Sequence, residues 1–313
     1  MRSIPPNRRY VFVCGLHRSG TSLLARALAE HPAASGFQNT GAIEDEGQFL
    51  QTILPLESGF GGVGRFGFDP RAHMTEESPL NNPAAAEQIL AEWSRYWDMS
   101  KPVLIEKTPS NLLRMRLLQA LFPASYFVVI TRHPVACSLA TLKWTEGNLF
   151  SLLSHWVHCC RLAKGDSALV NRVLWVSYER FVADPRDELA RIRRFLELPL
   201  FSDWSTPAHD SNSKYFDLWT THYLGDLNRA IEQIEPEQER SLTTRLRDRL
   251  ARDAQERALP SYRKRANRRD FHDAQDAVAL FEPALREFGY SFTDLNRAPG
   301  LETPSDRVKT RPA

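Results

Sequence analysis

Short apolar runs alternate with helical patterns over the first two hundred residues of the chain. Four of the runs are rich in β-branched and aromatic residues, as buried parallel strands are. They are Tyr10–Cys14, Val103–Glu106, Tyr126–Thr131 and Val173–Ser177. Apolar positions at helical spacing follow them, at residues 21–30, 108–121, 134–144, 149–164 and 185–195. Strands that alternate with helices predict βαβ units and an α/β fold around a mostly parallel sheet.

The pattern changes in three places. Residues 55–82 contain five glycines and three phenylalanines with little periodicity, which predicts either a lid over a substrate or a poorly ordered insertion. Residues 226–295 are highly charged, with helical spacing, and predict a helical C-terminal extension of one domain formed by residues 1–225. The polar, proline-containing residues 296–313 predict a flexible tail.

Composition limits the kind of partner and the compartment that we expect for this protein. The 313 residues are 42% hydrophobic and 25% charged, as in ordinary globular proteins. The net charge of +2 gives no global attraction for nucleic acid. The four cysteines form neither a CxxC pair nor a disulfide framework, which favours a reducing compartment. The N-terminal residues lack the apolar run of a signal peptide or membrane anchor, so we expect a soluble, cytoplasmic protein.

Candidate chemistry begins directly after the first predicted strand, at Gly15-Leu16-His17-Arg18-Ser19-Gly20-Thr21-Ser22. A strand, a glycine loop and a helix N-terminus direct backbone N–H groups and the positive end of the helix dipole at one spot. That arrangement suits a phosphate or a sulfate. The spacing matches G-x4-G-K-[ST], but Thr21 replaces the lysine of nucleotide hydrolases, and the nearest cation is Arg18. A nucleotide kinase or NTPase is therefore disfavoured and remains an alternative.

This loop resembles the 5′-phosphosulfate loop of the sulfotransferases that use 3′-phosphoadenosine 5′-phosphosulfate (PAPS). It is most similar to the Arg-Ser-Gly-Thr type found in carbohydrate and tyrosylprotein sulfotransferases and in soluble bacterial relatives. The resemblance implies a P-loop-like three-layer fold, with residues 1–225 as the PAPS-binding domain and residues 55–82 as a lid or acceptor loop. It implies PAPS as the donor, PAP as the product, and donor-binding roles for His17, Arg18, Ser19, Gly20, Thr21 and Ser22.

A second similarity to the family lies at the end of the third predicted strand. There the family places an arginine on the 3′-phosphate of PAPS, and Arg132 occupies that position. A planar guanidinium suits phosphate because it binds two oxygens at once. The serine that the family usually has eight residues later is Ala140 here, so the hydroxyl partner stays open between Ser138 and Thr141. We take Ser138 as the candidate.

Two further residues are assigned to the donor through the same resemblance. Tyr178, in Tyr178-Glu179, stands where the family commonly has a tyrosine that contacts the adenine. Lys214 lies where related enzymes close a loop over the cofactor.

Candidate catalytic residues are Glu46, Lys107, Arg18 and Glu44. Lys107 follows a buried strand, and the corresponding lysine of the family lies near the sulfuryl group. The family's glutamate after the first helix activates the acceptor hydroxyl, but Gln38 and Asn39 occupy those positions here. We choose Glu46 as the base, because Gly47-Gln48 could bring backbone close to a ligand. Glu44 is second and Asp45 third, and His17 is an outside candidate.

The sequence thus predicts transfer of a sulfuryl group from PAPS to a hydroxyl acceptor by in-line displacement, with no metal. The acceptor stays open among a carbohydrate, a peptide tyrosine, a lipid and a small natural product, and the oligomeric state stays open too. Neither nucleic acid nor a membrane span is expected. A non-catalytic protein that binds PAPS or PAP is a second alternative.

Overall fold

A computed structural model describes residues 4–5, 7–145, 147–224, 280–299 and 307–308. Its sheet has the strand order β2-β3-β1-β4-β5-β6. The first five strands pair in parallel, whereas β6 runs antiparallel to β5. The strands are β1 Arg9–Cys14, β2 Ala34–Gly36, β3 Val103–Lys107, β4 Ser125–Thr131, β5 Arg172–Ser177 and β6 Arg307–Val308. The predicted α/β fold with a mostly parallel sheet is confirmed.

Helices cover both faces of the sheet. They are α1 Thr21–Ala29, α2 Pro83–Trp93, α3 Met115–Leu121, α4 Pro134–Thr141, α5 Leu149–Ser167, α6 Tyr178–Ala183, α7 Pro185–Phe195 and α8 Ser213–Leu218. A further helix spans residues 280–286. None of the helices in the described ranges combines the length and apolarity that a membrane crossing requires.

Burial on both faces explains why the strands read as continuous apolar runs. Alternate residues of β1 enter different cores: Tyr10 and Phe12 pack on one side of the sheet, Val11 and Val13 on the other. All four side chains are fully buried. The result is a three-layer arrangement in which the carboxyl ends of β1, β3 and β4 meet at one edge.

The predicted helix at residues 108–121 is divided in two. Pro109–Leu113 forms a 3₁₀ turn, and α3 begins only at Met115. The break falls at Arg114, whose φ of −127° leaves the helical region. Its side chain is buried and donates a hydrogen bond to the Pro55 carbonyl at 2.8 Å. This tertiary contact overrides the local helical pattern.

Residues 55–82 are folded onto α5, so they are not a poorly ordered insertion. The segment contains three 3₁₀ turns, Glu57–Phe60, Phe66–Phe68 and Pro70–Ala72. The Gly67 N–H donates to His155 Nε2 at 3.0 Å. A Cβ at Gly67 would lie 2.2 Å from the sulfur of Cys159, so only glycine permits this approach.

The C-terminal region is only partly described, since residues 226–279 of the predicted extension lie outside the described residues. Residues 280–295 pack into the same core as the main domain, with Tyr290 and Phe292 fully buried. Arg307–Val308, within the predicted flexible tail, pair with β5. That pairing uses the backbone N–H and C=O groups of a strand that would otherwise be at the edge.

Two buried histidines make the stability of the fold depend on pH. Burial lowers the pKa of His133 to about 4 and that of His155 to about 3. An unfolded histidine protonates near pH 6.5. The unfolded state therefore binds more protons below pH 6.5, and we expect the free energy of unfolding to fall as the pH drops from 6.5 toward 3. Urea unfolding at a series of pH values measures this slope.

The variant His155→Gln isolates one of the two contributions, because glutamine keeps an acceptor for the Gly67 N–H but does not titrate. We expect a smaller loss of stability with falling pH in this variant than in the wild type. Glu106 acts in the opposite sense, because burial raises its pKa to about 7. Its contribution to the free energy of unfolding is present at low pH and is lost as the pH rises through 7. Identical slopes for wild type and variant would contradict the assignment to His155.

Candidate active site

The anion loop, residues 15–22, joins β1 to α1 at the carboxyl edge of the sheet. Two of its glycines are required by close contacts. A Cβ at Gly15 would lie 2.4 Å from the Ile130 carbonyl oxygen, and one at Gly20 would lie 2.9 Å from the Tyr178 ring. No side chain caps the N-terminus of α1, which begins at Thr21. Its first N–H groups are therefore available to a ligand in the loop.

Several buried polar atoms around the loop have no hydrogen-bond partner among the described residues. They include Ser19 Oγ, Arg132 Nη2, Ser138 Oγ and His17 Nδ1. Buried polar atoms are nearly always paired, so such unpaired atoms indicate a ligand or bound water. Ser19 and Arg132 offer hydrogen-bond donors to oxygens, as an anionic nucleotide requires. The residues present thus fit the donor that the sequence predicts.

The guanidinium of Arg132 is fixed on every side but one. Nε donates to Asn212 Oδ1 at 2.7 Å, and Nη1 donates to the Arg18 carbonyl at 2.9 Å. The Tyr178 ring centroid lies 4.4 Å from the guanidinium carbon and the Tyr215 centroid 5.5 Å from it. Only Nη2 lacks a partner among the described residues. The group is thus oriented in advance for one further acceptor.

Glu179 holds this arrangement together and was not singled out from the sequence. One of its oxygens accepts from the His133 N–H at 2.8 Å and from Asn212 Nδ2 at 2.7 Å. The other accepts from the Tyr290 hydroxyl at 3.0 Å. Glu179 thereby connects the C-terminal segment, through Asn212, to Arg132. The Tyr178-Glu179 pair in the sequence was the available signal, but it pointed to the tyrosine.

Tyr178 is buried, and its hydroxyl is already engaged. The hydroxyl donates to the His209 carbonyl at 2.9 Å and accepts from the Ser211 N–H at 3.2 Å. Its ring packs against Gly20 of the anion loop. Tyr178 therefore lies beside the anion loop, and its hydroxyl binds the backbone of residues 209–211.

Lys214 is brought to the same cluster, since its Nζ lies 5.1 Å from the Tyr215 ring centroid. Lys143, which the sequence did not single out, approaches the same ring at 5.4 Å. Three cations, Arg132 included, therefore surround one aromatic ring beside the anion loop. The predicted position of Lys214 near the donor site agrees with this geometry.

Ser138 lies on α4, and its hydroxyl has no hydrogen-bond partner among the described residues. It lines a cavity of about 10 Å³, enough for one water molecule, together with His17, Cys137 and Thr141. The Cys137 thiol donates to the His17 carbonyl at 3.2 Å. The face of α4 that carries Ser138 is therefore packed under the anion loop.

Arg18 projects from the loop into solvent. Its φ of 66° places the backbone in the left-handed region. The guanidinium carbon lies 5.1 Å from the ring centroid of Trp144, and that ring is 57% exposed. Arg18 thus stands at the mouth of the loop, held by a cation–π contact.

The acidic turn after α1 lies against the loop. Lys107 Nζ donates to the Glu44 carbonyl at 2.6 Å and to Glu46 Oε1 at 3.2 Å. Gln48 Nε2 donates to Glu46 Oε2 at 2.6 Å. Glu46 is buried, and this burial raises its pKa despite the nearby Lys107 charge. The structure thus brings together two of the candidate catalytic residues, Glu46 and Lys107.

The other two acidic residues of the turn differ from Glu46. Glu44 is exposed, and its carboxylate accepts from the hydroxyl of Ser22 at 3.1 Å. Asp45 accepts from the backbone and side chain of Thr40, and these hydrogen bonds lower its pKa. Asp45 therefore fixes the turn, whereas Glu44 touches the anion loop.

The glycine after Glu46 is required by a close contact. A Cβ at Gly47 would lie 2.3 Å from Glu106 Oε1. The Glu106 carboxylate is fully buried and accepts from the Thr108 hydroxyl at 2.6 Å and the Asn111 amide at 2.5 Å. Glycine at position 47 makes room for this carboxylate.

A carboxylate that sequence reasoning missed completes the site. Glu57 Oε1 lies 2.9 Å from His17 Nε2, and the Glu57 side chain is buried. Gln48 Oε1 accepts from the Glu57 N–H at 3.3 Å, so one glutamine contacts both Glu46 and Glu57. His17 is thus paired through Nε2 with Glu57, while Nδ1 has no hydrogen-bond partner among the described residues.

Comparison with known proteins agrees with this geometry. A family model described as "Sulfotransferase family" matches residues 10–203. The chain is 28% identical over 219 residues to the nodulation protein NoeE of Sinorhizobium fredii, which covers 61% of this chain and 50% of NoeE. The chain thus spans about half of the length of this curated relative.

Two bacterial proteins are among the solved structures to which this chain is similar. STF1 from Mycobacterium tuberculosis is 17% identical, with a TM-score of 0.41 over 62% of this chain and 68% of its own. The sulfotransferase domain of the Synechococcus olefin synthase is 23% identical, with a TM-score of 0.40 over 67% of this chain and 84% of its own.

Proposed function

The chain belongs to the sulfotransferase family, and we propose that it transfers a sulfuryl group from PAPS to a hydroxyl acceptor. One observation carries the proposal. The anion loop and the end of β4 present two buried, unpaired donor groups, Ser19 Oγ and Arg132 Nη2, beside the uncapped N-terminus of α1. This set of donors suits a nucleotide with phosphate or sulfate at both ends.

Donor binding is assigned to three groups of residues. When bound, PAPS supplies a sulfuryl group on a phosphate leaving group. The anion loop, with Arg18 at its mouth, holds the phosphosulfate end, because N–H groups and a cation meet there. Arg132 holds the 3′-phosphate, with Lys214 close by. Tyr178 shapes the adenine side, and the unpaired hydroxyl of Ser138 is the candidate partner of the 3′-phosphate.

Glu46 is the general base of the proposed reaction. Each carboxylate oxygen has two lone-pair positions, and Lys107 and Gln48 use one on each oxygen. A lone pair on each oxygen is therefore left to accept the proton of the acceptor hydroxyl. The raised pKa makes Glu46 a stronger base than an exposed glutamate.

Lys107 joins the base to the rest of the site. Its Nζ contacts the carbonyl of Glu44, and the Glu44 side chain contacts Ser22 of the anion loop. The ammonium charge lies between the base and the loop, where negative charge on the transferred oxygens is stabilised. Transfer is in line, from donor to acceptor, without a covalent intermediate on the enzyme.

The acceptor is a hydroxyl compound that meets residues 55–82. Glu57 and Phe66 of this segment both contact His17 of the anion loop, so the segment serves as the acceptor loop. The four cysteines are all free and buried, and a reducing compartment such as the cytoplasm suits them.

Among the alternatives, a kinase or NTPase is disfavoured because Thr21 replaces the lysine that acts on the β- and γ-phosphates. A protein that binds PAP without catalysis would share the donor site. It is distinguished by turnover, since it would transfer no sulfuryl group from PAPS to any acceptor.

We expect the protein to bind PAP in the presence of EDTA, because the proposed cations of the donor site are side chains. Calorimetry with PAP and EDTA measures this affinity. ATP, which lacks the 3′-phosphate, should bind more weakly under the same conditions. An absence of heat and of any thermal shift at millimolar PAP would overturn the assignment of the donor.

A further inference from the structure

An open cleft lies on the outer side of the acceptor loop. It has a volume of about 650 Å³ and is lined chiefly by Phe60, Phe68, Arg65, Asp69 and Arg71. This volume is in the range of small-molecule sites. The cleft combines two aromatic rings with two guanidinium groups, a composition that differs from an ordinary polar surface.

The two aromatic side chains of the cleft, Phe60 and Phe68, are held in place by packing against the rest of the protein. Phe68 is 45% exposed on its outer side, while its inner edge packs on His155 with ring centroids 5.3 Å apart. Phe60 is partly buried against the main core. A ligand ring entering between them therefore needs little reordering of either side chain, which favours binding.

Two arginines line the charged side of the cleft. Arg71 is paired with a carboxylate, and Arg65 is available to a ligand. Arg71 donates twice to Asp69 through Nε, and its guanidinium carbon lies 5.7 Å from the Phe60 ring centroid. Arg65 is exposed and contacts no carboxylate in the described part of the chain. The cleft therefore has a net positive charge, carried by Arg65.

Two short turns link the cleft to the anion loop. Phe60 belongs to the same 3₁₀ turn as Glu57, whose carboxylate pairs with His17 of the anion loop. Phe68 belongs to the same turn as Phe66, whose ring centroid lies 6.1 Å from that of His17. Both walls are thus connected to the loop by one short turn.

We propose that this cleft binds the acceptor, and that the acceptor has a ring with an apolar face and an anionic substituent. The inference rests on the proposed sulfuryl transfer and names the substrate class of that site. The ring face packs between Phe60 and Phe68, and the anionic group pairs with Arg65. A hydroxyl elsewhere on the same molecule then reaches the anion loop.

Three probes separate the two kinds of contact. Phenyl β-D-glucuronide has the ring and the carboxylate, phenyl β-D-glucoside lacks the carboxylate, and methyl β-D-glucuronide lacks the aryl ring. Each is titrated into PAP-saturated protein by calorimetry. We expect phenyl glucuronide to bind about tenfold more tightly than either of the others, as one charge-assisted contact or one aromatic contact allows.

Matched variants locate the contacts. Arg65→Gln should abolish the preference for glucuronide over glucoside, whereas Arg95→Gln, at an exposed arginine after α2, should leave it intact. Phe68→Ala should weaken both phenyl probes, whereas Tyr96→Ala, which removes a ring of similar exposure, should not. Rescue of the preference by Arg65→Lys would support a role for charge.

The outcomes separate this inference from the function on which it rests. If PAP itself does not bind, the proposed function fails. If PAP binds but the wild type shows no preference among the probes, or no saturable binding of phenyl glucuronide, the cleft is not the acceptor site. Equal effects of Arg65→Gln and Arg95→Gln would also overturn the proposal.

Discussion

We expect Glu46→Gln to lower kcat by about 10²–10⁴-fold while the affinity for PAP changes little. Glutamine keeps the shape of the side chain, but its single amide oxygen can accept from only one of the two donors, Lys107 and Gln48, and it cannot accept the proton. In the wild type, kcat should rise with pH through the pKa of Glu46, which burial raises above its ordinary value. Steady-state kinetics with labelled PAPS, and calorimetry with PAP, measure the two quantities.

Two controls keep this result interpretable. Glu46→Gln leaves the buried Lys107 without a counter-charge, so thermal unfolding should be measured alongside activity. Glu46→Asp retains the charge but withdraws the carboxylate by one methylene, and it should restore stability more than turnover. If Glu46→Gln turns over normally while Glu44→Gln does not, the exposed carboxylate beside Ser22 is the base. Normal turnover by both variants would remove the acidic turn from the mechanism.

We expect Arg132→Met to raise the Kd for PAP about 30- to 150-fold, which corresponds to about 2–3 kcal/mol for a charge-assisted contact. Methionine retains some packing between Tyr178 and Tyr215 but offers no donor. The affinity for adenosine 5′-monophosphate should change much less, because that nucleotide lacks the 3′-phosphate. Calorimetry with both nucleotides makes the comparison.

The control for this experiment is Arg161→Met, which removes an exposed arginine paired with Glu287 on the surface of α5. An exposed ion pair contributes about 0–1 kcal/mol to stability and should not affect nucleotide binding. Equal losses of affinity for the two nucleotides in Arg132→Met would place Arg132 at the 5′ end or in a purely structural role.

The sheet could be predicted well from the sequence because its central strands are buried on both faces. Continuous apolar runs such as β4 then become visible without any alternation. The three-residue β2 could not be found, since Ala34–Gly36 contains no β-branched or aromatic residue. Helix α2 was missed although Asn82 caps it and Pro83 occupies its first turn, signals that the sequence does contain.

The site was predicted where a motif fixes both the position and the neighbours of a residue. The anion loop, Arg132 and Lys107 all follow strands, and the carboxyl ends of parallel strands meet at one edge. Glu57 follows no such rule, because it lies in an aperiodic segment and meets His17 only through the tertiary fold.

Trp144 gives the molecule an optical property. The chain has seven tryptophans, and the other six are buried or half-buried while Trp144 is 57% exposed. A dissolved collisional quencher therefore reaches this indole in preference to the rest. Because its ring lies against the guanidinium of Arg18, its emission senses the charge at the mouth of the anion loop. The protein thus carries an intrinsic fluorophore at its donor entrance, and occupancy there is readable without any attached dye.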